Sequence, residues 1–328
     1  MITISPEQIF SIRSEAGFKQ VALKIFQYQA EENSIYSAFV KALGISVNSI
    51  SDLRSIPFLP VEFFKSHQIQ CGKGKPEITF SSSGTTGTNQ SKHPVKDLNI
   101  YVQSFREGFK HFYGEIQEYT LLALLPSYLE REGSSLIYMI DDLIKQSNSP
   151  QSGYYLYNHD ELYSTLNQLK SEKKKVILIG VTYALLDFSE SYKIDFPELI
   201  LMETGGMKGK RKELVREELH KILCDGFGVS QIHSEYGMTE LLSQGYSKGQ
   251  GRFECPPWMK VLIRDTNDPL SFLDTDKTGG ITVIDLANLH SCAFLSTQDL
   301  GKLYPDGSFE ILGRFDNSDI RGCNLMVL

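Results

Sequence analysis

The run YTLLALL at residues 119–125 is a short and almost wholly apolar segment. Two similar runs follow it, VILIG at 176–180 and LILM at 199–202. Apolar runs of this length are typical of strands that are buried on both faces of a sheet. Around these runs the spacing of apolar residues predicts helices at 97–113, 133–146, 159–172 and 208–224. Strands that alternate with helices predict an α/β fold with mostly parallel sheets flanked by helices.

The N-terminal part of the chain is predicted to be helical. Ser5-Pro6-Glu7 is a typical helix start, with serine as the N-cap and proline at the first helical position. A second helical stretch is predicted from 21 to 43, and Gly44 ends it. The segment IPFLPV at 56–61 is predicted to be extended, because each proline biases the residue before it away from the helix.

The last part of the chain changes in character. It contains short segments at 259–264, 280–285 and 308–313, and turn signals such as Asp306-Gly307 lie between them. These segments predict a small β-rich subdomain. The predicted organisation is therefore a helical N-terminal segment, an α/β core and a β-rich subdomain, at 1–55, 56–245 and 246–328.

Charge and composition exclude several classes of protein. The 328 residues carry a formal net charge of −7, which gives no electrostatic reason to expect binding to nucleic acid. The five cysteines are scattered without a Cys-x-x-Cys pair, so neither a zinc site nor a disulfide framework is predicted. Reduced thiols in a cytoplasmic protein fit this pattern. No apolar run approaches the roughly 20 residues that a membrane-spanning helix needs.

The strongest local signal is the stretch FSSSGTTGT at 80–88, with Lys92 shortly after it. Gly84 and Gly87 allow the backbone to bend, so that successive N–H groups can converge on an anion. Lys92 adds a positive charge, and further donors for phosphate oxygens are the hydroxyls of Ser81, Ser82, Ser83, Thr85 and Thr86. The glycine and lysine spacing excludes the G-x-x-x-x-G-K-[ST] nucleotide loop. Taken by itself, the stretch fits a phosphate-binding loop and a plain polar loop equally well.

A second stretch, IHSEYGMTE at 232–240, places an aromatic ring, a hydroxyl and a carboxylate within five residues. The Tyr236 ring can stack on a base, and Thr239 can bond a phosphate. Glu240 can hold a Mg²⁺ ion that bridges phosphate oxygens. The alternative is a turn at the end of a strand, with a satisfied tyrosine, a surface glutamate and a structural His233.

A third stretch, at 294–321, contains a carboxylate and arginines. Asp299 can accept hydrogen bonds from two ribose hydroxyls, and Arg314 suits phosphate. Each residue also has an ordinary alternative, as a turn aspartate or a surface arginine.

Together these stretches resemble motifs of the adenylate-forming superfamily, which includes acyl-CoA synthetases, adenylation domains of peptide synthetases and luciferases. FSSSGTTG resembles the phosphate-binding SSGTTG loop of that superfamily. YGMTE at 236–240 matches the YGxTE motif without a mismatch. STQDL at 296–300 resembles the TGDL motif, with Gln298 where glycine is usual.

Three further segments fall where the superfamily places functional elements. GRFD followed by IRG at 320–322 resembles the hinge motif GRxDxxIKxRG, with its lysine shifted or lost. METGG at 202–206 is similar in position to the segment that faces adenine, and LPSY at 125–128 to a motif that lines the acid pocket. The resemblance covers roughly residues 57 to 328.

This resemblance implies the fold of the N-terminal domain of these enzymes, and a reaction of ATP with a carboxylic acid to give an acyl-AMP. It implies that the loop at 82–88 holds the triphosphate, that Glu240 holds Mg²⁺ and that Thr239 contacts the α-phosphate. The core at 56–245 would bind both the nucleotide and the acid. Adenine would lie beside Tyr236, Gly205 and Gly206, the ribose on Asp299, and Arg314 would orient the nucleotide.

Within the superfamily the chain looks most like acyl-protein synthetases of the LuxE type. The short length, the segment PFLPVEFFKSH at 57–67 and RGCNL at 321–325 carry this likeness. It implies a fatty acid that is activated and then held as a thioester on a cysteine near the C-terminus, for which Cys323 is the candidate. It also implies partner proteins, namely an acyl carrier, a reductase or a transferase. The alternative for Cys323 is an ordinary semi-buried thiol.

One departure from the superfamily leaves the activity open. Larger members carry a C-terminal domain whose lysine contacts the reacting carboxylate, and we expect this domain to be absent because the sequence ends just after Arg321-Gly322. Lys92, Arg314 or a partner protein would then take over the role of that lysine. Two alternatives to the acyl-protein synthetase follow: a CoA ligase similar to phenylacetate–CoA ligases, and a non-catalytic acyl- or nucleotide-binding subunit of a larger complex.

Overall fold

The computed structural model of the chain describes residues 4–82, 90–126, 133–205 and 214–315. The helices, in chain order, are α1 (Pro6–Phe10), α2 (Glu15–Glu32), α3 (Ser34–Ala42), α4 (Phe63–Ser66), α5 (Leu98–Tyr113), α6 (Ser135–Gln146), α7 (His159–Ser171), α8 (Thr182–Ser191) and α9 (Arg216–Phe227). The strands are β1 (Leu59–Pro60), β2 (Ile78–Ser81), β3 (Lys92–Val95), β4 (Thr120–Leu124), β5 (Gly153–Tyr155), β6 (Val176–Val181), β7 (Ile200–Thr204), β8 (His233–Tyr236), β9 (Gly245–Ser247), β10 (Phe253–Glu254), β11 (Met259–Arg264), β12 (Thr278–Asp285), β13 (Phe294–Leu303) and β14 (Phe309–Arg314).

One large sheet organises the described residues. Its strand order is β11-β12-β13-β14-β10-β9-β8-β7-β6-β4-β5, and β1 pairs with β13. The strands from β5 to β8 are parallel, and antiparallel pairing begins where β8 meets β9. The strands β2 and β3 form a separate antiparallel hairpin. The predicted α/β fold is confirmed, and a single sheet joins its parallel and antiparallel parts.

The predicted elements of the parallel half are present. The three apolar runs form β4, β6 and β7, and the predicted helices correspond to α5, α6, α7 and the described part of the segment at 208–224. Strands β4 and β6 are buried along their whole length, as expected for parallel strands that are covered on both faces. Helix α8 packs so closely on β6 that a Cβ on Gly180 would lie 2.6 Å from Cδ2 of Leu185.

The N-terminal helices cover the antiparallel half of the sheet. Phe26 of α2 and Tyr36 of α3 both pack against Phe294 of β13. The stretch predicted from 21 to 43 is two helices, because Asn33 interrupts it. The Asn33 side-chain oxygen accepts hydrogen bonds from the N–H groups of Ile35 and Tyr36 and so caps α3. Gly44, with a φ of 68°, follows α3 as predicted.

No helix of the described residues is both long and apolar enough to cross a membrane. The antiparallel strands β11, β12 and β14 include the segments expected of a β-rich C-terminal region. The division of the chain at residues 55 and 245 stays a prediction.

Candidate functional site

The candidate site lies at the carboxyl ends of the adjacent parallel strands β7 and β8. Gly205 directly follows β7, is exposed and has a φ of 75°, a backbone conformation that favours glycine. The segment from Gly237 to Glu240 directly follows β8. Parallel strands end at one edge of a sheet, and in open α/β sheets that edge is where ligands bind.

The base of the phosphate-loop candidate is held together by two hydrogen bonds. The backbone N–H of Ser82 donates to the carbonyl of Ser91 over 3.0 Å. The backbone N–H of Ser91 donates to Oγ of Ser82, also over 3.0 Å. Lys92 is exposed and lies opposite Ser81 in the hairpin of β2 and β3. Ser82 and Ser91, the described residues that bracket this part of the sequence, are therefore fixed relative to each other.

The hairpin of β2 and β3 also contacts the segment after β8. The Ser91 hydroxyl hydrogen-bonds to the carboxyl group of Glu240. His93 Nδ1 donates to the carbonyl of Thr239 over 2.8 Å. On the other side, Asn288 Nδ2 donates to the carbonyl of Glu240, also over 2.8 Å. The hairpin that carries the first stretch therefore contacts the second stretch at the Thr239 carbonyl and the Glu240 carboxyl group.

The side chains of His93 and Asn288 that hold these carbonyls each have a second polar atom without a hydrogen-bond partner among the described residues. Both residues are fully buried. His93 Nε2 and Asn288 Oδ1 have no hydrogen-bond partner among the described residues. Burial lowers the pKa of His93 to about 4, although the hydrogen bond to Thr239 opposes this shift. His93 is therefore neutral near pH 7, with its proton on Nδ1 and an acceptor lone pair on Nε2.

Glu240 is the candidate magnesium ligand. Its side chain is buried, and burial raises its pKa although the Ser91 hydrogen bond and the charges of Arg314 and Lys65 oppose this. The described residues contain no group of three or more acidic, histidine or cysteine side chains that could hold a metal by themselves. Mg²⁺ is commonly bound by one or two carboxylates together with phosphate oxygens and water. A lone carboxylate beside the base of the phosphate-loop candidate fits that requirement.

The third stretch meets the second through Tyr236. Its hydroxyl donates to Oδ2 of Asp299 over 2.8 Å. Arg314, which is opposite Asp299 in the pairing of β13 and β14, places Nε 3.4 Å from Oδ1. Asp299 is buried and Arg314 is exposed, with side-chain exposures of 11% and 72%. Burial raises the pKa of Asp299, and its contacts with Tyr236 and Arg314 oppose this.

The Tyr236 ring is also buried. It packs edge-on against Phe253 and Phe309, with ring centroids 6.1 and 5.7 Å away. A role of this ring beside adenine stays a prediction. Seven predicted site residues lie outside the described residues, namely Ser83, Gly84, Thr85, Thr86, Gly87, Gly206 and Cys323.

Four residues around the site were not assigned a role from the sequence: Ser91, His93, Glu235 and Asn288. Glu235 lies on β8 inside the second stretch, and its Oε2 accepts a hydrogen bond of 2.6 Å from the Thr204 hydroxyl. Burial raises the pKa of Glu235 to about 7, although the Thr204 hydrogen bond opposes this. Period-two alternation along β8 predicts that Glu235 and Tyr236 face opposite sides of the sheet. Neither the partial burial of Glu235 nor the distant partners of His93 and Asn288 has a local sequence signal.

Solved structures share this architecture. A 2-hydroxyisobutyryl-CoA ligase in complex with 2-HIB-AMP and CoA is 11% identical, with 92% of this chain and 70% of that chain covered and a TM-score of 0.66. ATP-bound MatB from Rhodopseudomonas palustris is 16% identical, with 74% and 49% covered and a TM-score of 0.54. An ATP-bound RpMatB-BxBclM chimera is 17% identical over the same shares, with a TM-score of 0.55.

The comparisons bear on the fold. No protein-family model and no curated protein matches the sequence. The chain spans about half the length of the MatB structures. At identities this low, structural likeness shows the fold alone. The chain has the fold of the N-terminal domain of the adenylate-forming enzymes, the superfamily that its motifs resemble.

Proposed function

We propose that the protein binds ATP with Mg²⁺ and activates a carboxylic acid as its acyl-AMP. The observation that supports this proposal is the contact of three separate parts of the chain around residues 236–240. Ser91 and His93 contact Glu240 and Thr239, and Tyr236 contacts Asp299. Each stretch by itself has an ordinary explanation, but their convergence in the order expected for adenylate-forming enzymes supports a nucleotide site.

Adenylation requires two anions to approach each other. A carboxylate oxygen of the acid bonds to the α-phosphorus of ATP, and pyrophosphate leaves with the electron pair of the broken P–O bond. The protein must neutralise charge and align the reacting groups. Mg²⁺ on Glu240 would supply positive charge to the phosphates, and the N–H and hydroxyl groups of the loop at 82–88 would bind the triphosphate.

The remaining residues would position the nucleotide. The Thr239 hydroxyl would face the α-phosphate while its carbonyl is held by His93. Asp299 would accept the ribose hydroxyls, and exposed Arg314 would contact phosphate at the rim. Gly205 offers a close backbone approach for the adenine, because it is exposed and has no side chain. Lys92, which is also exposed, would supply a positive charge at the base of the loop.

The acceptor of the acyl group distinguishes the finer alternatives. In an acyl-protein synthetase of the LuxE type, the thiolate of Cys323 or of a carrier would attack the acyl-AMP and release AMP. In a CoA ligase the thiol of CoA would do so, and the neighbour 2-hydroxyisobutyryl-CoA ligase is described in complex with CoA. With a radiolabelled acid, label that stays on the wild-type protein and is absent from Cys323→Ser would support the first alternative. Consumption of CoA would support the second. A reductase or transferase partner belongs to the first alternative.

The decisive experiment is ATP–pyrophosphate exchange with a panel of carboxylic acids. We expect acid-dependent exchange in the wild-type protein and a loss of about 100-fold or more in Glu240→Gln, since that variant removes the charge that holds Mg²⁺. Glu254→Gln, an exposed carboxylate on β10, is the matched control and should exchange like wild type. A protein that binds ATP but exchanges with no acid would instead be a non-catalytic subunit.

A further inference from the structure

Asp285, the last residue of β12, ties the turn after that strand to the segment that follows Glu240. The Asp285 side chain is fully buried. Its Oδ2 accepts hydrogen bonds from the backbone N–H groups of Leu242 over 2.8 Å and of Ser243 over 3.0 Å. Its Oδ1 accepts from the Ser243 hydroxyl over 2.5 Å and from the N–H of Ala287 over 3.2 Å. Most of these donors therefore belong to residues that lie shortly after Glu240 in the chain.

The turn after β12 also holds Glu240 directly. Asn288 Nδ2 donates to the Glu240 carbonyl over 2.8 Å, and the Asn288 N–H donates to the Asp285 carbonyl over 3.0 Å. One residue before Glu240, the carbonyl of Thr239 accepts from His93 Nδ1. The main chain is thus held by buried side chains before, at and after the residue that is the candidate metal ligand.

The hydroxyl of Ser243 extends this network to two further parts of the fold. It lies 3.0 Å from Oγ of Ser104 on α5 and 3.0 Å from Nε1 of Trp258, and all three residues are buried. A hydroxyl has one proton, so Ser243, which donates to Asp285, accepts from the other two groups. The contact between Asp285 and Ser243 is therefore itself held between α5 and the residue before β11.

Metal binding makes the position of this main chain matter. Mg²⁺ requires near-ideal octahedral coordination, and functional sites need their ligands within about 0.5 Å of the productive geometry. Among the described residues, no cluster of three or more potential ligands accompanies Glu240. A shift of its main chain would therefore move the candidate ligand itself. Hydrogen bonds from backbone N–H groups to a carboxylate are stronger than those to a neutral acceptor, so Asp285 is well suited to prevent such a shift.

We propose that Asp285 is a positioning residue for Glu240, which it orients by fixing the N–H groups of Leu242 and Ser243. This inference rests on the proposed binding of Mg·ATP and adds to that site a residue from a different strand. Asp285 does not itself bind the metal, because it is fully buried and both of its oxygens accept from donors of the protein. It acts through the main chain that carries Glu240. Loss of its carboxylate should therefore weaken the binding of Mg·ATP without removing a metal ligand.

The test measures how tightly ATP binds with two different metal ions. Dissociation constants of Mg·ATP and Ca·ATP are measured by calorimetry for wild type, Asp285→Asn and Ser147→Ala. The asparagine side chain has nearly the shape of aspartate, but its NH₂ group cannot accept a hydrogen bond from a backbone N–H. We expect Asp285→Asn to bind Mg·ATP about tenfold more weakly than wild type. Ca²⁺ tolerates irregular coordination, so Ca·ATP binding should weaken by about twofold at most, and the preference for Mg²⁺ should fall about fivefold.

Ser147→Ala is the matched control for a purely structural loss. Ser147 is buried, and its hydroxyl bonds to the Ile144 carbonyl and the Ser152 hydroxyl. It lies between α6 and β5, at the edge of the parallel strands opposite to the candidate site. We expect its preference for Mg²⁺ to equal that of wild type. An unchanged preference in Asp285→Asn, or an equal loss of preference in Ser147→Ala, would overturn the inference.

A milder variant decides the case in which Asp285→Asn does not fold. Ser243→Ala removes one of the hydrogen bonds to Asp285 and leaves those from the backbone N–H groups in place. The preference for Mg²⁺ should then fall about twofold to threefold. A folded Ser243→Ala with the preference of wild type would overturn the inference.

ATP–pyrophosphate exchange with the same proteins separates this inference from the proposed adenylation. Acid-dependent exchange in wild type, together with an unchanged preference for Mg²⁺ in Asp285→Asn, would support adenylation and overturn the role of Asp285. A reduced preference in Asp285→Asn, without exchange for any acid, would support the role of Asp285 while adenylation itself fails. A wild-type protein that binds neither Mg·ATP nor Ca·ATP would overturn both.

Discussion

Glu203 and Glu235 lie near the ends of neighbouring strands, yet their surroundings differ sharply. Glu203 accepts hydrogen bonds from His220 Nε2 at 2.9 Å, from Ser234 Oγ at 3.0 Å and from Thr182 Oγ1 at 3.3 Å. Burial alone would raise its pKa, but His220 and Ser234 outweigh burial and the pKa is lowered. Among the described residues, Glu235 accepts one hydrogen bond, from Thr204, and burial raises its pKa to about 7.

A pair of buried amides shows the same contrast. Gln29 is fully buried, and its side chain makes three hydrogen bonds, to the carbonyls of Asn288 and Leu289 and from the N–H of Ala293. Asn288 is equally buried, but its Oδ1 has no partner among the described residues. Most buried polar groups in proteins are satisfied, so the exceptions need an explanation. Here the exceptions border the candidate site, whereas the satisfied groups support α2, α8 and α9.

The largest effect on stability is expected at Glu203, because its carboxylate accepts three hydrogen bonds. Glu203→Ala removes three hydrogen bonds and leaves the half-buried His220 and the buried Ser234 without their acceptor. We expect the free energy of unfolding to fall by about 3 kcal/mol, as measured by urea denaturation. Glu217→Ala, an exposed glutamate on α9, should change it by less than about 1 kcal/mol. A loss below 1 kcal/mol in Glu203→Ala would remove the contrast between the two glutamates.

Glu235→Gln should change stability in the opposite direction. Because the pKa of Glu235 is about 7 in the folded chain against 4.5 for an ordinary glutamate, the folded state binds its proton more tightly. The wild type therefore loses stability as pH rises from about 4.5 to 7, and no more above that range. The glutamine variant lacks this loss, so it should be more stable than wild type at pH 8 by about 2 kcal/mol after allowance for solvent screening.

Urea denaturation at pH 5 and pH 8 measures this difference. At pH 5 the Glu235 side chain of the folded wild type is mostly neutral, as the glutamine side chain of the variant is. The stability advantage of Glu235→Gln should therefore be largely absent at that pH. An advantage of the same size at both pH values would mean that packing, and not the charge of Glu235, separates the two proteins. A stabilising substitution beside the candidate site is the pattern expected where stability is given up for ligand binding.

The fold was predictable because its signals are local. The runs at 119–125, 176–180 and 199–202 form β4, β6 and β7. Short apolar runs between amphipathic segments are typical of parallel strands that helices cover on both faces. The break at Asn33 was not predictable, because it depends on a contact with the carbonyl of Ser291 far along the chain. The same periodicity fits one long helix or two short ones.

The position of the candidate site, whose role stays a prediction, was predictable in part for the same reason. Its motif residues lie in three compact stretches, so the types and positions of Tyr236, Glu240 and Asp299 could be recognised from the sequence. The hydrogen bond between Tyr236 and Asp299, and the support of Glu240 by Asn288, join residues distant in sequence. A side chain that binds a distant main-chain carbonyl leaves no pattern around itself. The partial burial of Glu235 likewise depends on packing by elements outside its own motif.

The smallest stability effect is expected for Asn288→Ala. This variant leaves the Glu240 carbonyl unpaired, but it also removes the unsatisfied Oδ1, so the net loss should be about 1 kcal/mol. Gln29→Ala, the matched buried amide, loses three hydrogen bonds and removes no unsatisfied atom, so it should cost about twice as much. Urea denaturation compares the two variants, and equal losses would show that the unpaired Oδ1 does not destabilise the folded chain.

Acid-dependent exchange should fall more in Asn288→Ala than in Gln29→Ala, because of these two side chains only Asn288 holds the main chain of Glu240. A small loss of stability in Asn288→Ala together with a large loss of exchange would mean that the Asn288 amide is retained to position Glu240 for the metal and phosphates.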